Sequence, residues 1–186
     1  PDYTRGLVKL SRGGADAKVW REFDLVANRF VEGGFTLPES KSELGWIDRD
    51  RLYVGLALDS TTTTSSGYPR VVMEWKRGTP LASATPVYEG KTGDISVDAA
   101  HHFRPGFEYD FVERWITWST SDLFLRRGGA LIRVEKPADA EASMFREWLL
   151  LRLTSDWNVA GKSYPAGALL ATRFEDFLAG KREFDV

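Results

Sequence analysis

His101 and His102 are the only imidazoles in this 186-residue chain, and they are adjacent. A serine hydrolase needs a histidine base beside its nucleophile, and a nucleophile elbow needs G-x-S-x-G. That pattern is absent. Ser163, in Gly161-Lys162-Ser163-Tyr164-Pro165, comes nearest but lacks the second glycine, and it reads as a loop serine. Neighbouring strand residues point to opposite faces, so from a strand the two histidines cannot converge on one site. Glu108 and Asp110 lie close by and suggest a metal centre. Pro105 and Gly106 break any helix there, however, and helical spacing is the usual way to bring two histidines to one ion. A solvated loop between two strands is the expectation for this segment. Paired carboxylates can run glycoside hydrolysis, and Asp48, Asp50, Asp59, Asp94 and Asp98 are available. The S-x-D-x-G-x-T-W box is missing, so these aspartates are expected at strand ends and turns. Of the seven tryptophans, Trp46, Trp75, Trp115 and Trp148 fall in or beside strand-like runs and are expected in the core. Trp157 is the one expected to be partly exposed, with Tyr164. Neither G-x-G-x-x-G nor G-x-x-x-x-G-K-[ST] occurs, which leaves no phosphate loop. The chain therefore offers no catalytic, cofactor-binding or metal-ligating set, and no cofactor is expected.

Charge and composition narrow the partners. Twenty-five basic against 27 acidic residues give a net charge of −2, which lacks the basic excess of an electrostatic nucleic-acid binder. No apolar run approaches the roughly 18 residues of a membrane span. Cysteine is absent, which removes disulfides, thiolate metal sites and thiol nucleophiles and suits a cytoplasmic chain. Pro1 opens the sequence with no signal-peptide pattern behind it, as in a processed chain or a piece of a longer one.

The elements that would position any site are short strands. Residues 71–76 (VVMEWK) alternate with period 2, as in a strand with one buried face. Residues 52–58 (LYVGLAL) and 148–153 (WLLLRL) are almost continuously apolar, which predicts strands covered on both faces; for the second, the helix formers of ADAEASMFREWLLL leave a helix as the alternative. The doublets Gly13-Gly14, Gly33-Gly34 and Gly128-Gly129 predict tight turns. Residues 60–67 (STTTTSSG) predict an exposed, mobile loop. One short helix is expected in RFEDFLAG, where Phe174, Phe177 and Leu178 sit at i, i+3 and i+4 before Gly180. Strand-opening segments recur near Tyr3, Trp46, Ile95 and Met144, at intervals of about 43, 49 and 49 residues, within the period of propeller blades. The expected fold is thus all-β: a partial β-propeller of about four blades of four-stranded antiparallel sheet, near 1–45, 46–94, 95–143 and 144–186. The chain begins within a strand-like run and ends on Phe184-Asp185-Val186, as an arc cut from a larger ring would. Such an arc leaves terminal blade faces uncovered. These are expected to carry residues such as Leu52, Val54, Trp148 and Leu150 and to drive self-association.

The runs LSRGGADAKVWREFD (10–24) and RFVEGGFTLPESKSELGWID (29–48) resemble the propeller of bacterial prolyl oligopeptidases. SSGYPRVVMEWKRGTPL (65–81), REWLLLRLTSDW (146–157) and YPAGALLATRFEDFLAG (164–180) are similar to its later blades. The resemblance implies a seven-bladed propeller capping an α/β-hydrolase domain that cleaves short peptides after proline. The catalytic segments of that family lie outside the propeller, so no catalytic residue is carried over to this chain. What the resemblance implies for it is a gating role, with that catalytic domain and short peptides as partners. A self-contained propeller-type module binding protein or carbohydrate is the alternative on the same strands.

Overall fold

The computed structural model describes residues 4–186; the opening segment at Tyr3 lies outside them. The chain begins with β1 (Arg5–Ser11), β2 (Lys18–Asp24), the two-residue β3 (Arg29–Phe30) and the long β4 (Thr36–Asp48). β4 pairs with β2 as far as Ser40, then from Lys41 onward with β5 (Arg51–Ala57). β6 (Val71–Lys76) and β7 (Thr85–Glu89) follow and complete a seven-stranded antiparallel sheet that β4 divides into two halves. A four-stranded sheet comes next, of β8 (Ser96–Arg104), β9 (Phe107–Trp115), β10 (Ser121–Arg127) and β11 (Ala130–Val134), with β8 at its edge. The last sheet has β12 (Glu141–Phe145) at its edge, then β13 (Trp148–Arg152) and β16 (Leu169–Arg173). The hairpin of β14 (Trp157–Val159) and β15 (Lys162–Tyr164) interrupts it, and α1 (Phe174–Leu178) closes the chain, in the expected place. No helix among the described residues is long and apolar enough to cross a membrane.

These sheets stack face on face, and the apolar pattern shows why. On β5, Leu52, Val54 and Leu56 pack with Trp20 and Leu37 of the first half-sheet. Tyr53, on the opposite face, packs with Val97 and Val112 of the four-stranded sheet. A continuous apolar run is what a strand between two neighbours requires, so Leu52 and Val54 belong to the core and not to a terminal face. Leu149, Leu151 and Leu170 of the last sheet meet Phe111, Leu123 and Leu125 of the four-stranded one. The result is a partial β-propeller.

The run 148–153 differs from expectation on its outer side. Register puts Phe145, Trp148, Leu150 and Leu169 on the face away from that core. Phe145 is 58% exposed and Leu169 54%, while Trp148 and Leu150 are half-buried. The strand is covered on one face only.

Residues 60–67 also depart from expectation. Asp59 Oδ1 accepts the Thr61 and Thr62 N–H groups at 2.8 and 3.1 Å. Thr64 is buried; its hydroxyl donates to the Ile95 carbonyl at 2.9 Å, and its N–H to that of Tyr68 at 2.9 Å. Seven hydroxyl residues carry no apolar anchor, but their local bonds to Asp59 substitute for one. Hydrogen exchange is accordingly expected to show the Thr64 and Arg70 amides protected and the Ser60 amide fast. Fast exchange throughout 61–70 would contradict the pinned loop.

Candidate functional site

The histidine pair lies on a strand and not in a loop. β8 and β9 form a hairpin in which His101 opposes Asp110 and His102 opposes Tyr109, with only Pro105 and Gly106 between the strands. Strand alternation sends the two rings into different inter-sheet spaces. His101 Nδ1 lies 3.1 Å from Asp110 Oδ1. The same oxygen accepts the Tyr53 hydroxyl at 2.9 Å, and Arg126 donates to the Tyr53 oxygen at 3.0 Å and to Glu74 at 2.6 Å. Burial, with Asp110 alongside and Arg126 opposing, pushes the Tyr53 phenol up to about 12. This His-Asp-Tyr-Arg-Glu chain joins β5 and β6 to the four-stranded sheet. It contains no serine, threonine or cysteine, and its one hydroxyl, the Tyr53 phenol, is buried, bonded to Asp110 and Arg126 and held protonated, so its chemistry is that of a polar tie between sheets. Glu108 Oε2 stands 3.9 Å from His101 Nε2. Among the described residues no three histidine or acidic side chains gather to hold a metal.

His102 faces the other way, into the cleft between the four-stranded sheet and the last one. Its ring meets Phe111 edge-on at 5.4 Å. Burial, with His101 and Arg104 adding positive charge, pushes its pKa down. Two adjoining cavities, of about 170 and 160 Å³, line this cleft and share His102 and Met144. Asp98 and Glu113 stand at one end, Arg104 and Arg146 at the other.

Asp98 is the aspartate that sequence reasoning placed least well. It is not at a strand end; it lies within β8, facing the cleft. Burial, and after it the charge of Glu43, raises its pKa to about 6, with Glu113 adding to the rise and Ser96 and Lys9 opposing it. Such an acid favours the fold when protonated. Its contribution is full below the unfolded value near 3.8 and is lost as pH rises through about 6. Asp98→Asn should therefore raise stability at pH 7 by on the order of 2 kcal/mol and leave it unchanged near pH 3.5. Urea titrations at the two pH values measure this, and equal effects at both would contradict the burial.

The remaining aspartates sit as expected, at strand ends and turns. Asp48 accepts Arg51, and Asp50 accepts Arg77, at the turn between β4 and β5. Asp94, in the turn before β8, is also buried, and Arg114 grips both its oxygens at 2.7 and 2.8 Å. Ser163 lies on β15 and is exposed. Trp75 is buried and donates to the Thr79 carbonyl at 2.9 Å; Trp46 packs against the same core, and Trp115 is half-buried. Trp157 is partly exposed, as expected, whereas Tyr164 is buried; both pack on Phe184, and a more exposed indole lies elsewhere. Trp118, 73% exposed, caps the turn between β9 and β10 edge-on to Tyr68. Sequence reasoning missed Arg104 and Arg146, although a signal existed. The Pro-Gly turn in HHFRPGFEYDF sets the hairpin register, which places Asp98, Ala100, His102 and Arg104 on one face.

No family model matches the chain. It is 41% identical over 92 residues to an uncharacterized peptidase of Sinorhizobium fredii, covering 50% of this chain and 13% of that protein. It is 27% identical over 194 residues to an uncharacterized peptidase of Rickettsia prowazekii, covering 96% of this chain and 27% of that one. A post-proline cleaving enzyme from Rickettsia typhi superposes with a TM-score of 0.89 at 28% identity, over 98% of this chain and 29% of that chain. Oligopeptidase B from Leishmania major, at 14% identity and a TM-score of 0.60 over 90% of this chain and 24% of that one, shares the fold. The chain spans less than a third of each of these proteins. The stacked sheets and the sequence runs that resemble prolyl oligopeptidases thus point the same way: this chain is a partial β-propeller similar to a section of larger peptidases, a post-proline cleaving enzyme among them.

Proposed function

We propose that this propeller section belongs to a serine peptidase that cleaves short proline-containing peptides, and that it governs which peptides reach the catalytic centre. The observation that carries the reading is the match to the post-proline cleaving enzyme across 98% of the chain at 28% identity. An α/β-hydrolase domain elsewhere in the same protein supplies the serine, aspartate and histidine, and the cytoplasm is the working compartment. The propeller acts by steric exclusion: it adds selectivity without making or breaking bonds. The full-length protein should cleave a chromogenic Gly-Pro peptide and spare unfolded casein, whereas its catalytic portion without the propeller should attack both. A full-length protein that degrades casein as readily as the short peptide would exclude gating. One that cleaves neither would exclude the peptidase reading. The 186-residue chain by itself should hydrolyse neither.

Exposed Phe145 and Leu169, beside half-buried Trp148 and Leu150, form an apolar sheet face. The isolated chain should therefore self-associate through it, most simply as a two-fold dimer. Sedimentation equilibrium at micromolar concentration tests this, with Phe145→Glu expected to restore the 20.9 kDa monomer. A monomeric parent chain would overturn the expectation.

A further inference from the structure

The cleft between the four-stranded sheet and the last sheet has opposite charges at its two ends. Register pairs Asp98 with Glu113, Ala100 with Phe111, His102 with Tyr109, and Arg104 with Phe107. Alternation turns all eight toward the cleft. The lining therefore runs from two carboxylates, through an apolar stretch with Phe111 and Met144, to Arg104 and Arg146.

Neither end holds a direct ion pair among the described residues. Among the described residues, Arg104 and Arg146 have no carboxylate at ion-pair distance, whereas Arg77, Arg114 and Arg126 are paired with Glu22, Asp94 and Glu74. No acidic side chain lines the cavity at the arginine end. Asp98 and Glu113 likewise have no basic side chain at ion-pair distance: Lys9 and Lys136 act on them from farther off, Lys136 through the Ser121 hydroxyl, and the two carboxylates accept the hydroxyls of Ser96 at 3.3 Å and Ser121 at 2.6 Å. Arg146 is held at φ 53° in the turn between β12 and β13, a left-handed conformation that non-glycine residues rarely adopt. Its guanidinium lies 5.7 Å from the Phe145 ring. Two unpaired guanidiniums at one cavity suit a carboxylate, which they can bind by charge-assisted hydrogen bonds.

We infer that this cleft binds a short peptide by its two charged ends, the α-carboxylate at Arg104 and Arg146 and the α-ammonium toward Asp98 and Glu113. The peptide's side chains then lie over Phe111 and Met144. At about 3.3 Å per strand residue, Asp98 and Arg104 stand roughly 20 Å apart along β8. An extended peptide covers at most about 3.3–3.6 Å per residue, so a ligand of about four to six residues fits once the reach of the side chains is subtracted. A phosphate or other polyanion would use the arginines but gain nothing from the acidic end. The choice of a peptide as ligand rests on the peptidase reading above; the polarity of the cleft does not.

Calorimetry on the full-length protein with pentaalanine tests the inference. That peptide lacks proline and so is not consumed by post-proline cleavage. Pentaalanine with free termini should bind, its C-terminal amide at least tenfold more weakly, and its N-acetyl form several-fold more weakly. The Arg104→Gln/Arg146→Gln variant should bind acid and amide alike while keeping the parent urea midpoint. Pentaalanine should also protect Arg104 and Arg146 of the unaltered protein from phenylglyoxal, a readout that does not depend on the variant folding. The inference is overturned if acid and amide bind equally, if the double variant still tells them apart, or if neither arginine is protected. Inorganic phosphate binding as tightly as pentaalanine would reduce the site to a plain oxyanion pocket and overturn it too. Cleavage of a Gly-Pro substrate is measured separately. A protein that distinguishes peptide termini but does not cleave after proline would retain this site and lose the peptidase reading.

Discussion

Replacing Glu22 with alanine is expected to lower the unfolding free energy by about 3 kcal/mol. Glu22 lies on β2 and is 2% exposed. It accepts the Phe35 N–H at 3.0 Å and both terminal nitrogens of Arg77 at 2.8 and 3.0 Å. Arg77 follows β6 and stacks over the Phe35 ring at 4.5 Å, so this one carboxylate ties the first half-sheet to the second. Its removal leaves a buried N–H unsatisfied and a guanidinium short of its best partner. Arg77 keeps Asp50 and the Arg49 carbonyl, which holds the loss below the upper range for buried pairs. Burial by itself raises the Glu22 pKa, but the Arg77 and Phe35 hydrogen bonds and the Arg77 and Arg5 charges bring it below the usual 4.5. The stabilisation is therefore complete above about pH 4.5 and is lost as pH falls through the lower folded value. At neutral pH the urea midpoint should drop by roughly 1.5 M for a slope of about 2 kcal/mol/M. The gap between parent and variant should narrow below pH 4. A midpoint unchanged at pH 7 would mean that the carboxylate does not join the half-sheets.

Phe174→Ala is expected to cost about 4 kcal/mol, the range for deleting a fully buried aromatic side chain. Phe174 opens α1 and is completely buried. Its ring packs at 5.4 Å from Tyr109 and 5.7 Å from Phe111, and its N–H donates to the Glu147 carbonyl at 2.9 Å. It is the point where α1 and the last sheet grip the four-stranded sheet. The melting temperature should fall by roughly 10 °C. Phe174→Leu, which refills part of the volume, should recover about half of that loss. A loss under about 1 kcal/mol would show that the two sheets dock without this junction.

The sequence by itself determined the elements and their class. The VVMEWK alternation marks β6, the LYVGLAL run marks a strand between two neighbours, and RFEDFLAG marks α1. The resemblance pointed to the propeller. These features are local: period, run length and turn residues act within a few positions, so they are written where the strand is written. Tertiary structure decided everything that depends on which faces meet. WLLLRL looks like LYVGLAL in sequence, yet β5 is covered on both sides and β13 on one. Nothing within six residues encodes whether a neighbour sits on the far face. STTTTSSG has the composition of a mobile loop, but Asp59, one residue before it, and Ile95, far along the chain, hold it. The two histidines were correctly expected to part, because strand alternation is local. That one would join Asp110 and Tyr53 while the other entered a cleft with unpaired acids at one end and unpaired arginines at the other depended on the order in which the sheets stack. That order is fixed by burial summed over whole faces, a quantity no short stretch of sequence contains.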